Sequence, residues 1–343
     1  MVRATLLESE IRRAVGLPAG GSLVVNGIAD LDAAEDGVLS FVNRELSAEQ
    51  RDALRTRKGC IFIAPEASSL TGLAAGSSVL EVPQPRTAIA RVLSFVRAER
   101  RLEPWLTTRR IAASALVSPH AVLEGHVHLA DGVVVEAFCT IGPDASIGRD
   151  TIVRAGARIG ERVVIGERCV IGSNTVVGEE GYGFVRGDDG NKLRIPHLGG
   201  IVIGSDVEID ALSVIQYGTI DPTRIEDHAK LGMMIGVGHN ARIGRGVSLS
   251  AGIVIGGSVV IGDEVWMGLN ASVRNGRRVG ARALVGMDAS VQNDVPDRSV
   301  AIARPAHLGK RSDDDDPGVI GFTERSIEAG TKAPKTRHES ETE

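Results

Sequence analysis

The sequence contains eight histidines, the side chains best suited to proton transfer near neutral pH. His239 has the most informative surroundings, because it lies in the segment Gly238-His-Asn-Ala-Arg-Ile-Gly244. It follows Val237 by two residues, where a repeating coil should turn a corner and point the ring outward. An outward histidine is most often only a solvated polar residue, so the position needs further support.

Gly257, eighteen residues after His239, provides that support. If six-residue units close a coil in threes, residues eighteen apart stack in adjacent coils, and Gly256-Gly257 should lie over His239. Glycine there leaves room for a ligand and a free backbone N–H. A general base beside an oxyanion donor is an arrangement suited to acyl transfer.

The other histidines and one glycine-rich segment give weaker signals. His126 and His128 are spaced like a metal pair, but no further ligands follow at suitable spacing, which favours surface positions. His197 falls in a segment that interrupts the repeat and could contact a substrate, and His228 could line the same groove. Residues 181–187 superficially resemble a dinucleotide-binding loop, but they do not follow a strand and open a helix.

A repeat of six residues must position these side chains. Aliphatic residues occupy every sixth position from Ile111 to Val177 and again from Ile225 to Val291, where one is methionine, and glycine follows many of them. Neither an α-helix nor a lone strand has that period. A fixed repeat with glycine at the corners, where it allows the backbone to turn, predicts a parallel β-solenoid. About ten coils, at a strand spacing of about 4.8 Å, would form a rod about 45 Å long.

The repeat divides the chain into three predicted domains. Residues 1–104 lack the period and should form a small α/β domain. Residues 105–306 should form the solenoid, with an inserted loop at 179–200 and a register slip between 216 and 224. Residues 307–343 form a polar acidic tail, predicted to be largely disordered. In the first domain we expect helices at 5–15, 47–57 and 86–101, and strands at 24–28, 37–42 and 60–64.

Composition excludes several classes of function. The net charge of −5 offers no basic stripe for nucleic acid. The amino terminus has no long apolar run, so we expect neither a signal peptide nor an integral membrane segment. The three cysteines, Cys60, Cys139 and Cys169, lie in apolar contexts and are expected to be buried thiols in a cytoplasmic protein.

In its six-residue repeat and in the segment around His239, the sequence resembles the hexapeptide-repeat acyltransferases, which fold as left-handed parallel β-helices. It is most similar to the UDP-3-O-acylglucosamine N-acyltransferases of lipid A and lipopolysaccharide biosynthesis. The resemblance spans about residues 5–305 and depends on five segments in matching order and spacing. These are Leu39-Ser-Phe-Val-Asn43, Val82-Pro-Gln-Pro-Arg-Thr-Ala-Ile-Ala90, Gly181-Tyr-Gly-Phe184, Lys192-Leu-Arg-Ile-Pro196 and the segment around His239.

The resemblance implies direct transfer of an acyl group to a sugar amine. His239 would take the amine proton as the amine attacks an acyl thioester, and the N–H of Gly257 would stabilise the oxyanion. The amino-terminal domain would bind uridine, partly through Phe41 and Asn43. We also assign substrate binding to five side chains of the inserted loop and the histidine segment: Tyr182, Phe184, Lys192, His197 and Asn240.

The resemblance also implies the partners. No cofactor or metal would be bound, since the acyl thioester, carried by acyl carrier protein or coenzyme A, is a co-substrate. The acceptor would be a nucleotide-linked amino sugar. Three chains would form a homotrimer with each active site in a groove between two of them.

Some positions depart from the family pattern. Gly232 and Met233 replace an acidic residue and an amide, and Gln216-Tyr-Gly218 replaces Asp-Arg-Gly. A tyrosine usual near Leu46 is absent, and the polar tail replaces helices that engage acyl carrier protein. Without its acidic neighbour, His239 would need Asn240, Asp221 or a carboxylate of another chain to orient the ring. An unassisted imidazole has a pKa of about 6.5, so turnover should rise with pH through that region.

Two alternatives to the lipid-A-type enzyme remain. A paralogue could use a short acyl-CoA such as acetyl-CoA, because residues 295–306 resemble the end of CoA-dependent sugar acetyltransferases. A non-catalytic solenoid could instead bind a nucleotide sugar or a partner chain. Acyl transfer from several thioesters to several amino-sugar nucleotides would separate these functions.

Overall fold

The computed structural model of the protein describes residues 1–99, 104 and 106–304. Met1–Ile302 form one compact unit, which contains a small mixed sheet with helices and a long β-helix. The predicted tail at 307–343 lies outside the described residues. The described residues therefore include every position to which the sequence assigns a functional role.

The amino-terminal region is a five-stranded sheet with three α-helices. Its strands are Val2–Leu7 (β1), Val24–Ile28 (β2), Val38–Phe41 (β3), Ile61–Ala64 (β4) and Ser78–Glu81 (β5), and its helices are Glu8–Ala14 (α1), Ala48–Arg55 (α2) and Pro85–Ala98 (α3). Leu31–Ala33 and Ala67–Leu70 are short 3-10 helices. The strands follow sequence order, with β1 antiparallel to β2 and the other neighbours parallel.

Most of the predicted elements of this region are confirmed within a few residues, with two exceptions. The expected helix at 5–15 is wrong in its first three residues, which belong to β1. Ala4 and Leu6 are buried while Arg3 and Thr5 are exposed, and this alternation is the period of a strand. Ser78–Glu81 was not predicted as a strand, although it extends the sheet beside β4.

Helix α3 joins the sheet to the β-helix. Its apolar side, which includes Ile89 and Leu93, is buried in one hydrophobic cluster with the sheet. Leu198 and Ile220, from two irregular segments of the β-helix, belong to the same cluster and are at most 2% exposed. Burial of this shared apolar surface holds the amino-terminal region against the β-helix.

The β-helix has three faces of short parallel strands, arranged in one ten-stranded and two nine-stranded sheets. The first face comprises Leu116–Val117, Val134–Val135, Ile152–Val153, Val170–Ile171, Glu208–Ile209, Lys230–Leu231, Ser248–Leu249, Trp266–Met267, Leu284–Val285 and Val300–Ala301. The second comprises Val122–Leu123, Thr140–Ile141, Arg158–Ile159, Val176–Glu179, Val214–Gln216, Gly236–Val237, Val254–Ile255, Ser272–Val273 and Ser290–Val291. The third comprises Arg110–Ile111, His128–Leu129, Ser146–Ile147, Val163–Ile165, Ile201–Ile203, Thr223–Ile225, Arg242–Ile243, Val260–Ile261 and Arg278–Val279. The predicted left-handed parallel β-helix is confirmed.

The glycines after the inward residues have a different function from the one expected. The left-handed backbone at the corners belongs mainly to other residues, such as Asn240 and Ser258, each with φ of 58°. Gly238 is not in that region, but a Cβ on it would lie 2.6 Å from the backbone nitrogen of Gly257 in the next coil. Glycine is therefore required because adjacent coils approach closely, and the predicted role in turning the backbone is wrong for Gly238.

The inserted loop contains an antiparallel hairpin, formed by Phe184–Arg186 and Lys192–Arg194. The hairpin packs against α3, and Thr87 Oγ1 of that helix lies 3.5 Å from the carbonyl oxygen of Arg186. The insertion is thus held against the amino-terminal region. Its first and last residues are placed where they can contribute to a site on the second face.

Two further expectations concern burial and membranes. Cys60, Cys139 and Cys169 are buried free thiols, as predicted. Among the described residues, no helix is both long enough and apolar enough to cross a bilayer.

Candidate active site

His239 lies just after the second-face strand Gly236–Val237, at the corner that Asn240 completes. Val237 pairs with Ile255 in the next coil, so Gly257 stacks on His239 and the predicted stacking is confirmed. A Cβ on Gly257 would lie 2.5 Å from His239 Nε2. Any residue other than glycine at position 257 would displace this imidazole nitrogen from its position beside the next coil.

Asn240 orients the His239 ring. Its Nδ2 lies 2.9 Å from His239 Nδ1 and donates to Thr219 Oγ1 at 3.0 Å. Its Oδ1 accepts the backbone N–H of Thr219 at 2.6 Å. Of the three groups that the sequence offered for this role, Asn240 is the one hydrogen-bonded to the ring, while Asp221 contacts the amino-terminal nitrogen of Met1 at 3.0 Å.

His197, from the end of the inserted loop, packs against His239. The two ring centroids are 4.8 Å apart with an interplanar angle of 55°. His197 is 2% exposed, and its Nδ1 lies 3.5 Å from Glu180 Oε1. Arg97 of α3 donates two hydrogen bonds to Glu180, one to each carboxylate oxygen at 3.0 Å. A chain of contacts therefore runs from α3 through Glu180 and His197 to the ring of His239.

The site alters the proton affinities of two of its groups. Burial, followed by the neighbouring His197 and Arg86, lowers the pKa of His239 to about 4. Burial alone would raise the pKa of Glu180, but hydrogen bonds from His197 and Arg97 lower it to about 2. The expectation of an ordinary imidazole pKa for His239 is therefore wrong, because its burial was not visible in the sequence.

The backbone N–H of Gly257 is not free, contrary to the expectation. It donates to Asn275 Oδ1 at 3.1 Å. Asn275 lies eighteen residues further along the same column of stacked coils. A substrate oxygen could accept from this N–H only by displacing the Asn275 side chain.

One cavity, of about 500 Å³, brings together seven of the predicted residues. They are His239, Gly257, Asn240, His197, Tyr182, Phe184 and Asn43. Phe41 lines a neighbouring cavity, also of about 500 Å³, beneath the end of the sheet. Asn43 and Asp30 line both cavities, so the two are contiguous along the contact between the amino-terminal region and the β-helix. Burial and the charge of Asp221 raise the pKa of Asp30 to about 6.

Other predicted positions lie elsewhere. Lys192 is exposed on the hairpin and lines neither cavity. His228 is also absent from the lining, with its Nδ1 3.8 Å from Asp206. In the part of the chain that the structure describes, no three histidine, cysteine or acidic side chains converge on a metal position.

Glu180, Arg97 and Asn275 were not predicted from the sequence. Glu180 is in the inserted loop, where functional groups were expected, but no spacing rule paired it with a histidine seventeen residues later or with an arginine of α3. Asn275 could have been found from its separation of eighteen residues from Gly257.

Comparison with known proteins identifies the family of this chain. Residues 144–179 match the family described as bacterial transferase hexapeptide (six repeats). The UDP-3-O-acylglucosamine N-acyltransferase of Bradyrhizobium diazoefficiens is 32% identical over 264 residues, which cover 66% of this chain and 66% of that protein. The chain belongs to the hexapeptide-repeat acyltransferases.

A second relative has a similar identity over a similar length. The UDP-3-O-acylglucosamine N-acyltransferase of Delftia acidovorans is 33% identical over 239 residues, covering 66% of this chain and 65% of that protein. The chain thus matches about two thirds of the length of these relatives. The crystal structure of the Francisella novicida UDP-N-acetylglucosamine acyltransferase has a TM-score of 0.47 and 26% identity, covering 56% of this chain and 66% of that one.

The neutral state of His239 is testable by titration. Burial, together with the neighbouring His197 and Arg86, disfavours the imidazolium, so the protonation midpoint of His239 should lie near pH 4, below the ordinary value of about 6.5. Carbon-13-labelled histidine followed by NMR from pH 8 to about pH 4 would show this, with His239→Gln identifying the signal. A midpoint near 6.5 would contradict the buried position of the ring.

Gly257→Ala tests the close contact between coils. The added methyl would lie 2.5 Å from His239 Nε2, so the ring must move, and a displacement of about 1 Å can cost about 10²-fold in turnover. We expect kcat to fall by about that factor while the melting temperature stays close to wild type. Gly286→Ala is the matched control, because its methyl would lie 3.2 Å from the exposed side chain of Ile302 and no closer than 3.6 Å to the backbone. Equal activity of the two variants would argue against a catalytic position for His239.

Proposed function

We propose that the protein transfers an acyl group from a thioester to the amine of a nucleotide-linked amino sugar, as a UDP-3-O-acylglucosamine N-acyltransferase. The observation that carries this proposal is the pair of histidines beside Gly257 in a cavity contiguous with a second one under the amino-terminal sheet. One cavity has room for the reacting groups and the other for a nucleotide. Curated relatives with this named activity support the same assignment.

The second cavity suits the nucleotide of the acceptor. The Phe41 ring offers an apolar surface for a base, and Asn43 provides an amide for hydrogen bonds. Arg44 and Arg242 also line this cavity, and Arg86 lines the reaction cavity. Guanidinium groups favour phosphate oxygens, so a nucleoside diphosphate would place its phosphates between the base and the histidines.

An apolar groove next to His239 suits the acyl chain. A cavity of about 280 Å³ is lined by Val214, Val237 and Val254 together with His239 and Tyr182. Val254 is 56% exposed, so the groove opens on the surface of the second face. A thioester bound there would present its carbonyl carbon near the imidazole, with the chain along the valines.

The donor is a thioester of either acyl carrier protein or coenzyme A. Acyl transfer in this arrangement uses no bound cofactor, because base, oxyanion donor and positioned substrates suffice. Since nucleotide sugars and such thioesters are intracellular metabolites, we propose a cytoplasmic location.

Turnover of matched substrates tests the function. Wild-type protein should acylate a UDP-linked 3-O-acylated glucosamine, measured as thiol release corrected for hydrolysis and as amide product by mass spectrometry. Thioesters of acyl carrier protein and of coenzyme A should each be tested with a long acyl chain and with an acetyl group, because the proposal leaves the donor unassigned between them. Glucosamine lacking the nucleotide is the control and should not turn over detectably. Nucleotide-sugar binding without acylation by any donor would favour the non-catalytic solenoid.

His239→Ala tests the reaction centre. Whether the ring takes the amine proton or stabilises the oxyanion, its loss should lower kcat by about two to four orders of magnitude. KM should change little, because the ring is assigned to the transition state rather than to substrate binding. Wild-type turnover by this variant with the accepted substrates would exclude His239 from catalysis.

We also propose that three chains assemble side by side. Outward apolar residues such as Leu116, Val254 and Trp266 are partly exposed on the faces of the β-helix, and packing of these faces between copies would bury them. Sedimentation equilibrium at micromolar concentration should give about three times the mass of 36.0 kDa. A stable monomer with full activity would rule out a site that needs two chains.

A further inference from the structure

The amide of Asn240 can adopt only one orientation with all its contacts satisfied. Its oxygen accepts the Thr219 backbone N–H at 2.6 Å, and that N–H can only donate. Turning the amide over would place its NH₂ group against this donor. The nitrogen that faces His239 is therefore Nδ2, which has hydrogens and no acceptor capacity.

This orientation determines the tautomer of His239. Because Asn240 Nδ2 donates at 2.9 Å, His239 Nδ1 must carry the lone pair that accepts. The proton of the neutral ring is then on Nε2, the nitrogen beside Gly257. A ring in this state donates a hydrogen bond from Nε2 and cannot take a proton there. In serine proteases, an amide in place of the carboxylate that holds the catalytic histidine imposes the wrong tautomer and lowers kcat about 10⁴-fold.

His197 has the opposite arrangement. Its buried Nδ1 lies 3.5 Å from Glu180 Oε1 without forming a hydrogen bond, while the backbone N–H of His197 donates to the same carboxylate oxygen at 2.9 Å. Arg97 holds the carboxylate ionised by hydrogen bonds to both oxygens. The negative charge of this nearby carboxylate favours the proton on Nδ1 and leaves the lone pair on Nε2, which is the form that acts as a base.

Each histidine has its Nε2 beside a glycine. A Cβ on Gly257 would lie 2.5 Å from Nε2 of His239, and a Cβ on Gly181 would lie 2.5 Å from Nε2 of His197. Both rings line the reaction cavity. Because glycine has no side chain, there is space next to Nε2 of each ring. That nitrogen is a donor in His239 and an acceptor in His197.

We propose that His197 accepts the proton of the attacking amine, while His239, held by Asn240, donates its Nε2–H to the oxyanion. This division of roles rests on the proposed acyl transfer. The amine nitrogen bonds to the thioester carbon, the carbonyl oxygen takes the electron pair, and the amine proton moves to His197 Nε2. When the carbonyl reforms, the carbon–sulfur bond breaks and the leaving thiolate takes the proton from His197. The products are an amide and a thiol.

The assigned tautomers can be read directly in the full-length wild-type protein. Long-range ¹H–¹⁵N NMR of nitrogen-labelled histidines separates protonated from unprotonated ring nitrogens, and His239→Gln and His197→Gln identify the signals. At neutral pH, His239 should be protonated at Nε2 and bare at Nδ1, and neutral His197 should show the reverse. Protonation of His239 at Nδ1 would overturn the proposal, whatever the activity.

Glutamine at each position separates donation from proton transfer. Glutamine has an N–H at about the reach of Nε2 but no basic nitrogen. His239→Gln should therefore lose no more than about tenfold in kcat, compared with the 10²–10³-fold cost of removing an oxyanion donor. His197→Gln should lose about 10²–10⁴-fold with little change in KM. A larger loss of kcat in His239→Gln than in His197→Gln would assign the base to His239. A large loss of kcat in Asp30→Asn, with normal activity in His197→Gln, would assign the base to the Asp30 carboxylate of the cavity.

Two variants control for misfolding and for indirect effects. Glu180→Gln leaves His197 in place but removes its carboxylate partner, so kcat should fall with KM and melting temperature nearly unchanged. Asn240→Asp would favour the Nδ1–H tautomer of His239 and remove the Nε2 donor, so kcat should also fall. An increase in kcat with Asn240→Asp would show that His239 is the base. If the tautomers are as assigned but the wild-type protein transfers no acyl group, the proposed function fails and the hydrogen-bond assignment remains.

Discussion

The close approach of backbone to backbone between successive coils is the constraint on which the rest of this structure depends. A Cβ on Gly148 or Gly166 would lie 2.5 Å from a carbonyl carbon or oxygen of the next coil, and one on Gly238 would lie 2.6 Å from a backbone nitrogen. Every coil also hydrogen-bonds to the next through pairs such as Val237 and Ile255. No coil can therefore slide or separate alone, and each position lies in a rigid column. His239 faces Gly257 because of this register.

A regular column of coils presents nearly flat faces. The two cavities of about 500 Å³ arise where the repeat is interrupted. The insertion after Glu179 brings Glu180 and His197 to the corner occupied by His239, and residues 217–222 bring Thr219 to Asn240. Helix α3 holds the first interruption through Arg97 and the hairpin contact. The amino-terminal region thus forms one wall of the site and also positions its polar groups.

Within the site, charge is balanced along a chain of contacts rather than at one residue. Arg97 and Glu180 form an ion pair at one end of this chain of contacts, and the neutral amide of Asn240 lies at the other. Two histidine rings in contact and sheltered from water cannot both be cations without a large electrostatic cost. The arrangement favours a neutral His239, with the Glu180 carboxylate available to balance a proton on His197. The two neighbouring imidazoles therefore differ, with His239 suited to donate a hydrogen bond and His197 suited to accept a proton.

The sequence by itself determined the β-helix, its register and the stacking of Gly257 on His239, because a period of six is a local property repeated along the chain. It also determined that Tyr182, Phe184 and His197 belong to an interruption of that period. Only the tertiary structure decided that His197 touches His239, that Asn275 occupies the Gly257 N–H, and that Asn240 and Glu180 hold the two rings in opposite ways. Those contacts join residues from irregular segments and from α3, whose positions depend on packing between regions far apart in the chain. The lowered pKa of His239 has the same origin, because burial is a property of the assembled fold and not of the neighbouring residues in sequence.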